Sequence, residues 1–342
     1  MSYTVCSSEK LRKSGADAET KAMLYLMNFR EDSSEMNYFV VDFFNDVTGM
    51  DRMARKLWDV QSKASKSATA KGIGRELVTL FKNYLSDFSF VDYVLFMGGV
   101  PDTFRIDSSL SLFDISNIKE RALSSVRNGL IDECKKKEYI DDSAITDENI
   151  DEFLKVVWFV IDDKEPHEYI KQIIKDHPSI IPPDSKLIGI FNEIRNKQSE
   201  LKNTNVEGVT INRIDEALSY GRELKTHEIR LLVLHRILNT DPISKGIPVP
   251  FMEVYSKYPE ERRDMLLADC QSAMCRALFN NSLAQAYWSL FDSVYTSIVK
   301  NPNKNIDYIL DSIPNDVIDS CTDFDVLSLK YFIAKIKEGV SQ

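Results

Sequence analysis

The stretch that most constrains this chain lies at residues 38–71, YFVVDFFNDVTGMDRMARKLWDVQSKASKSATAK. It reads as two strands, the first carrying acids and the second ending in Gln-Ser-Lys. Successive side chains on a strand point to opposite faces, so Tyr38, Val40, Asp42, Phe44 and, if the strand continues, Asp46 share one side. On the second strand Leu57, Asp59, Gln61 and Lys63 share one face, and Trp58, Val60 and Ser62 the other. Residues 47–56 carry Gly49 and several charges and read as a surface connection longer than a tight hairpin. If the two strands pair, an acid, an amide and an ammonium converge at one end of a sheet.

Such a convergence suits metal-dependent cleavage of a phosphodiester. Mg2+ or Mn2+ takes oxygen ligands, typically one or two carboxylates with water and phosphate completing the shell. The cation polarises the phosphate and makes a bound water a better nucleophile, while a nearby Lys stabilises developing charge or orients that water. Asp46 is the main ligand candidate, Gln61 offers a carbonyl oxygen, and Lys63 is the charge-stabilising group. Gln brings no negative charge, so metal affinity leans on Asp46 and a further acid, for which Glu19 and Asp42 are the candidates.

The order acid, acid, Q-x-K, followed by a helix, resembles the PD-(D/E)xK nuclease superfamily in the variant where Gln replaces the middle acid. Within it, the N-terminal part is similar to the double-stranded DNA endonuclease domain of CD-NTase-associated effectors, shared with nucleases of Lamassu and HerA-linked anti-phage systems. The residues carrying the likeness are Ser14-Gly15-Ala16-Asp17-Ala18-Glu19 opening a helix, Asp42-Phe43-Phe44-Asn45-Asp46-Val47, and Val60-Gln61-Ser62-Lys63. Asn45 stands where that family commonly has the first of two paired acids. The resemblance implies a restriction-endonuclease-like core with a mixed sheet flanked by helices, an acid on the first helix (Glu19) reaching the metal, and cleavage of double-stranded DNA with little sequence specificity. It also implies control by assembly, either as a homo-oligomer or with an SMC-like or HerA-like ATPase. A solvated Glu19 in a first turn, where acids suit the helix dipole, is an equal reading from the residues alone.

The 342 residues, 43% hydrophobic, suffice for two domains with their own cores. No apolar run reaches membrane-span length and no secretory leader is evident, so a soluble, cytoplasmic protein is expected. Five scattered cysteines suit reduced thiols, and the four histidines show no zinc spacing. The net charge of −10 argues against DNA binding until it is divided. Residues 1–100 hold 13 basic and 13 acidic side chains, so the remainder carries the whole deficit. Within 52–82, eight basic residues face only Asp59 and Glu76, and Lys66, Lys71 and Arg75 become candidate phosphate contacts. A charge run of this kind is also the ordinary look of a solvated face.

Periodicity predicts a helix over 17–29 with Ser14 as cap, a helix over 72–86, a buried strand at 90–97 stopped by Gly98-Gly99, a helix over 118–134 capped by Ser116, and a strand at 155–161. Asp162-Asp163 after that strand reads as a solvated turn. From about Glu165 the patterns turn helical, at 166–176, 185–202, 210–221, 226–238, 258–278, 281–299, 304–313 and 323–337. The expectation is therefore an α/β domain over 1–164 and an all-α regulatory or assembly domain over 165–342. Two rivals follow: an adaptor carrying a catalytically dead nuclease-like domain, and, behind it, a nuclease acting on RNA.

Overall fold

The computed structural model describes residues 2–6, 13–174, 182–238 and 246–340, with the backbone alone at 13, 14 and 281. The chain divides into a sheet unit, Met1–Tyr169 with Asn192–Thr226, and a helical unit, Ile170–Phe191 with His227–Gln342. The single boundary expected after residue 164 is thus replaced by a segment that leaves for the helical unit and returns. The returning segment supplies an edge strand to the sheet and two cations to the site.

In the sheet unit, β1 (Tyr3–Thr4) is followed by α1 (Lys13–Asn28), β2 (Met36–Val41), β3 (Val47–Asp51) and β4 (Leu57–Lys63). Next come α2 (Ala70–Glu76), α3 (Val78–Tyr84), β5 (Phe90–Met97), β6 (Leu112–Asp114), α4 (Glu120–Cys134), α5 (Asp147–Lys155) and β7 (Val157–Ile161). α6 (Pro166–Ile173) and α7 (Asp184–Glu200) lead out and back, and β8 (Thr210–Ile211) and β9 (Glu223–Lys225) close the unit. Seven strands form one mixed sheet in the order β6-β7-β5-β4-β3-β2-β9, while β1 and β8 pair separately. The ladders β2–β3 and β3–β4 are antiparallel, and β4–β5 and β5–β7 are parallel.

Two expectations are corrected here. Residues 47–51 are a strand, so the strands before and after them do not pair directly; each pairs with β3. Gly49 suits that place because an added Cβ would lie 3.0 Å from Met36 Sδ and 3.4 Å from Leu26, under α1. The charges at 51–56 belong to the β3–β4 turn, where Asp51 accepts from the backbone of Arg55 and Lys56. The alternation drawn from Tyr38 through Asp46 also stops early. β2 ends at Val41, and Asp42 has φ +51°, a left-handed conformation in which the chain turns toward β3.

Helix limits shift by a few residues. α1 begins at Lys13, which puts Ser14 inside the first turn, with its side chain outside the described residues. The helix expected over 72–86 is split at Leu77 into α2 and α3. α4 begins after Lys119, and the Ser116 backbone N–H instead donates to the Asp114 carboxylate. The strand at 155–161 starts at Val157 and extends the sheet beside β5. Asp163 pairs with Lys164, but Asp162 is not solvated as expected: its side chain is largely buried, held by Lys21 and the Tyr169 hydroxyl.

The helical unit holds α8 (Thr226–Leu238), α9 (Met252–Tyr255), α10 (Glu260–Phe279), α11 (Ala284–Lys300), α12 (Ile306–Asp311), α13 (Asn315–Ser320) and α14 (Val326–Val340). Tyr287, Trp288, Phe291 and Phe332 pack ring to ring at its centre, so the aromatic stripe is core. The residues expected to be helical at 210–221 form β8 and a short 3-10 turn, and the end of the helix expected at 166–176 lies outside the described residues. No described helix is long and apolar enough to cross a membrane.

Candidate active site

β4 is the central strand, covered on both faces, and all its residues except Lys63 are buried. Its alternation holds: Asp59 and Gln61 meet α3, and Lys63 follows on that face. Thr79 of α3 donates to Gln61 Oε1 at 2.6 Å, and Asn83 of α3 donates to Asp59 Oδ2 at 2.6 Å. Beyond Lys63 the chain passes tightly over the end of β5. A Cβ on Gly98 would lie 2.5 Å from Ala64 O, and one on Gly99 2.7 Å from Lys66 O. The Gly-Gly pair therefore does more than stop a strand. It admits the backbone that follows Lys63, whose carbonyl accepts from Gly98 N–H at 2.8 Å.

Asp46 sits opposite this end of β4, one residue before the Val47–Val60 pair. Its Oδ2 accepts from Gln61 Nε2 (2.8 Å), from the Ser62 backbone N–H (2.8 Å) and from the Ser62 hydroxyl (2.9 Å). Gln61 and Ser62 point to opposite faces of β4, so the carboxylate straddles the rim of the sheet between its two helical layers. Burial pushes Asp46 above the ordinary carboxylate value, opposed first by the charge of Lys63, then by the Ser62 donors and Lys202. Acid, amide and ammonium thus share one sheet end, with Asp46 leading directly into β3, the strand that pairs with β4. Lys63 also lies 3.3 Å from Glu76.

Asn45 is held between Asp59 and Asp46. Its side chain donates to Asp59 Oδ2 at 3.3 Å, and its Oδ1 accepts the Asp46 backbone N–H at 3.1 Å. A carboxylate at 45 would face the fully buried Asp59. The amide instead ties Asp59 to the backbone of Asp46.

Glu19 and Asp42 reach the same region and are held there by cations that sequence reading did not find. Lys202 Nζ lies 2.6 Å from Glu19 Oε2, with both side chains largely buried. Arg222, 1% exposed, donates to Asp42 O at 2.9 Å and to Asp42 Oδ2 at 3.1 Å. Pairing of Val41 N–H with Arg222 O at 2.8 Å sets this arginine beside the left-handed Asp42. Burial raises Glu19 to about 7, with Lys202 pulling it down and Asp46 and Asp42 pushing it up. Burial also raises Asp42, against Lys202 and Arg222. Lys202 and Arg222 follow Asp46 by more than 150 residues, and no local spacing ties them to it.

A cavity of about 60 Å³ opens at Asp46, lined also by Asp42, Asn45, Gln61, Thr79 and Lys82. Lys82 donates to the Tyr3 hydroxyl at 2.8 Å, and burial pulls its ammonium below the ordinary value. Among the phosphate-contact candidates, Lys66 and Arg75 are exposed and Lys71 pairs with Asp132 at 2.6 Å. Among the described residues no group of three or more His, Cys, Asp or Glu side chains is arranged to hold a metal. The donor set for a hard cation is instead one carboxylate, Asp46, with the Gln61 carbonyl. That set fits Mg2+, which keeps several waters, once the Gln61 amide turns its oxygen from Thr79 toward Asp46. No family model, no curated protein and no solved structure matches the chain.

Proposed function

We propose that this chain is a metal-dependent endonuclease with a restriction-endonuclease-like core, cutting double-stranded DNA with little sequence specificity as an effector of anti-phage defence in the cytoplasm. The observation that carries the reading is Asp46 bonded to Gln61 and Ser62 at the end of the strand that presents Lys63. The element order supports it: a helix, three antiparallel strands, helices, then a strand parallel to the third. In this reading Asp46 and Gln61 hold Mg2+ or Mn2+, which supplies a polarised phosphate and an activated water. Lys63 donates to the phosphate oxygen that gains charge, and the turned Gln61 amide would present its NH2 to the Thr79 hydroxyl. Lys66 and Arg75 neutralise flanking phosphates, joined by Lys71 when it leaves Asp132, which gives affinity without base reading. The helical unit is the part suited to assembly, as a homo-oligomer or with an SMC-like or HerA-like ATPase.

One observation favours the adaptor reading. Asp46 Oδ2 already accepts three hydrogen bonds and Glu19 is ion-paired, so the carboxylates are satisfied without a metal. Supercoiled plasmid incubated with Mg2+ or Mn2+, with and without a candidate ATPase, separates the two. Nicking by the parent that falls at least about hundredfold in Asp46→Ala supports the nuclease. Equal, metal-independent backgrounds in both support the adaptor.

A further inference from the structure

Lys202 stands where a cation would be wanted. Its side chain is only 6% exposed, its ammonium pairs with Glu19, and its charge acts on Glu19, Asp42 and Asp46 together. A long, strongly hydrated ammonium is rarely buried so deeply unless opposing charge holds it there. Asp46 repels both Glu19 and Asp42, and one lysine from a distant segment offsets part of that repulsion.

The way Lys202 is delivered matters as well. It lies on the short turn Leu201–Asn203 that follows α7, and α7 begins in the helical unit and ends in the sheet unit. The last turns of α7 lie along α1 through polar contacts: Arg195 to Asp17 at 2.8 Å, Thr20 Oγ1 to Gln198 Oε1 at 2.8 Å, and Lys202 to Glu19. Gln198 Nε2 is buried there without a partner among the described residues.

We propose that Lys202 is a built-in competitor of the divalent cation: its ammonium neutralises Glu19 and the Asp46 region in the resting chain and must be displaced for full metal loading. This rests on the metal reading of Asp46 given above. A single and a double positive charge acting on the same carboxylates repel, so removing the ammonium is expected to tighten cation binding at least about tenfold.

The test is Mn2+ binding to the full chain by electron paramagnetic resonance and calorimetry, for the parent, Lys202→Met, Lys202→Arg, and each of the first two with Asp46→Asn. The expected result is tighter binding in Lys202→Met, parent-like binding in Lys202→Arg, and loss of binding with Asp46→Asn in both backgrounds. Parent-like affinity in Lys202→Met, still dependent on Asp46, overturns the competitor while leaving the metal site standing. No Asp46-dependent binding in any variant overturns both. The unmodified chain gives a second readout that needs no mutant fold: amine acylation mapped by peptide mass. Saturating Mn2+ is expected to raise labelling of Lys202 several-fold over its labelling without metal, and unchanged or reduced labelling overturns the proposal.

Discussion

Replacing Asp59 by Asn tests a fully buried carboxyl of the sheet unit. Asp59 is 0% exposed, and its oxygens accept from Asn83, Asn45 and Thr48. No ion pair to it forms among the described residues, and burial outweighs its three donors and lifts its carboxyl to about 7. The folded chain therefore keeps this proton across the window from about 4 to about 7, where the unfolded chain has released it. With the folded value above the unfolded one, stability is highest below the window, falls as pH rises through it, and levels off above about 7. Roughly three pH units of difference correspond to about 4 kcal/mol at most. Asn is isosteric; its carbonyl can take the two amide donors and its NH2 can face the Thr48 hydroxyl, so the variant escapes this loss. Glu19, also raised to about 7, is present in both proteins and cancels in the comparison. Native-state hydrogen exchange of β3 and β4 amides, compared at matched pH from 4.5 to 8.5, reads the difference. The parent should lose up to about 4 kcal/mol relative to Asp59→Asn across the range, and parallel profiles would refute the buried, unpaired carboxylate.

Other expectations concern the site and its support. Lys63→Ala should lower cleavage by about a hundredfold or more, with circular dichroism and melting temperature nearly unchanged, because its pairing with Glu76 is partly exposed and contributes little. Parent-like turnover would remove Lys63 from the mechanism. Gln61→Glu sets a second carboxylate against Asp46, so the metal-free protein should melt lower and gain more from added Mg2+ than the parent does, measured by thermal shift. An equal metal gain in both would show that position 61 does not meet the cation. In Gly74→Ala the new Cβ would lie 1.9 Å from Val126 O across the α2–α4 contact, which Gly129 mirrors at 2.1 Å from Lys71 O. Forcing these helices apart should cost about 3 kcal/mol in urea denaturation, and a loss under about 0.5 kcal/mol would mean the helices are not in such close contact.

Strand period made the common face of Gln61 and Lys63 legible, because alternation on a central strand depends on nothing outside it. The helix over 17–29, which brings Glu19, was legible from its own period in the same way. β3 was hidden because Thr48 and Gly49 look like turn residues; one is buried against Asp59 and the other makes room for α1, both tertiary facts. The turn at Asp42 was hidden as well, since its left-handed backbone is held from outside by Arg222. Arg222 and Lys202 carry no local signal at all. They enter only because the chain leaves the sheet unit and comes back, which shifts the domain limit and joins the site to α7.

The most direct measurement is a crystal of the protein soaked in Mn2+ and examined for anomalous scattering. The proposed function predicts a peak at the cavity by Asp46, about 2.2 Å from a carboxylate oxygen and from the Gln61 carbonyl, with the amide turned away from Thr79. A peak elsewhere, or none at this sheet end at a concentration that supports cleavage, would contradict it.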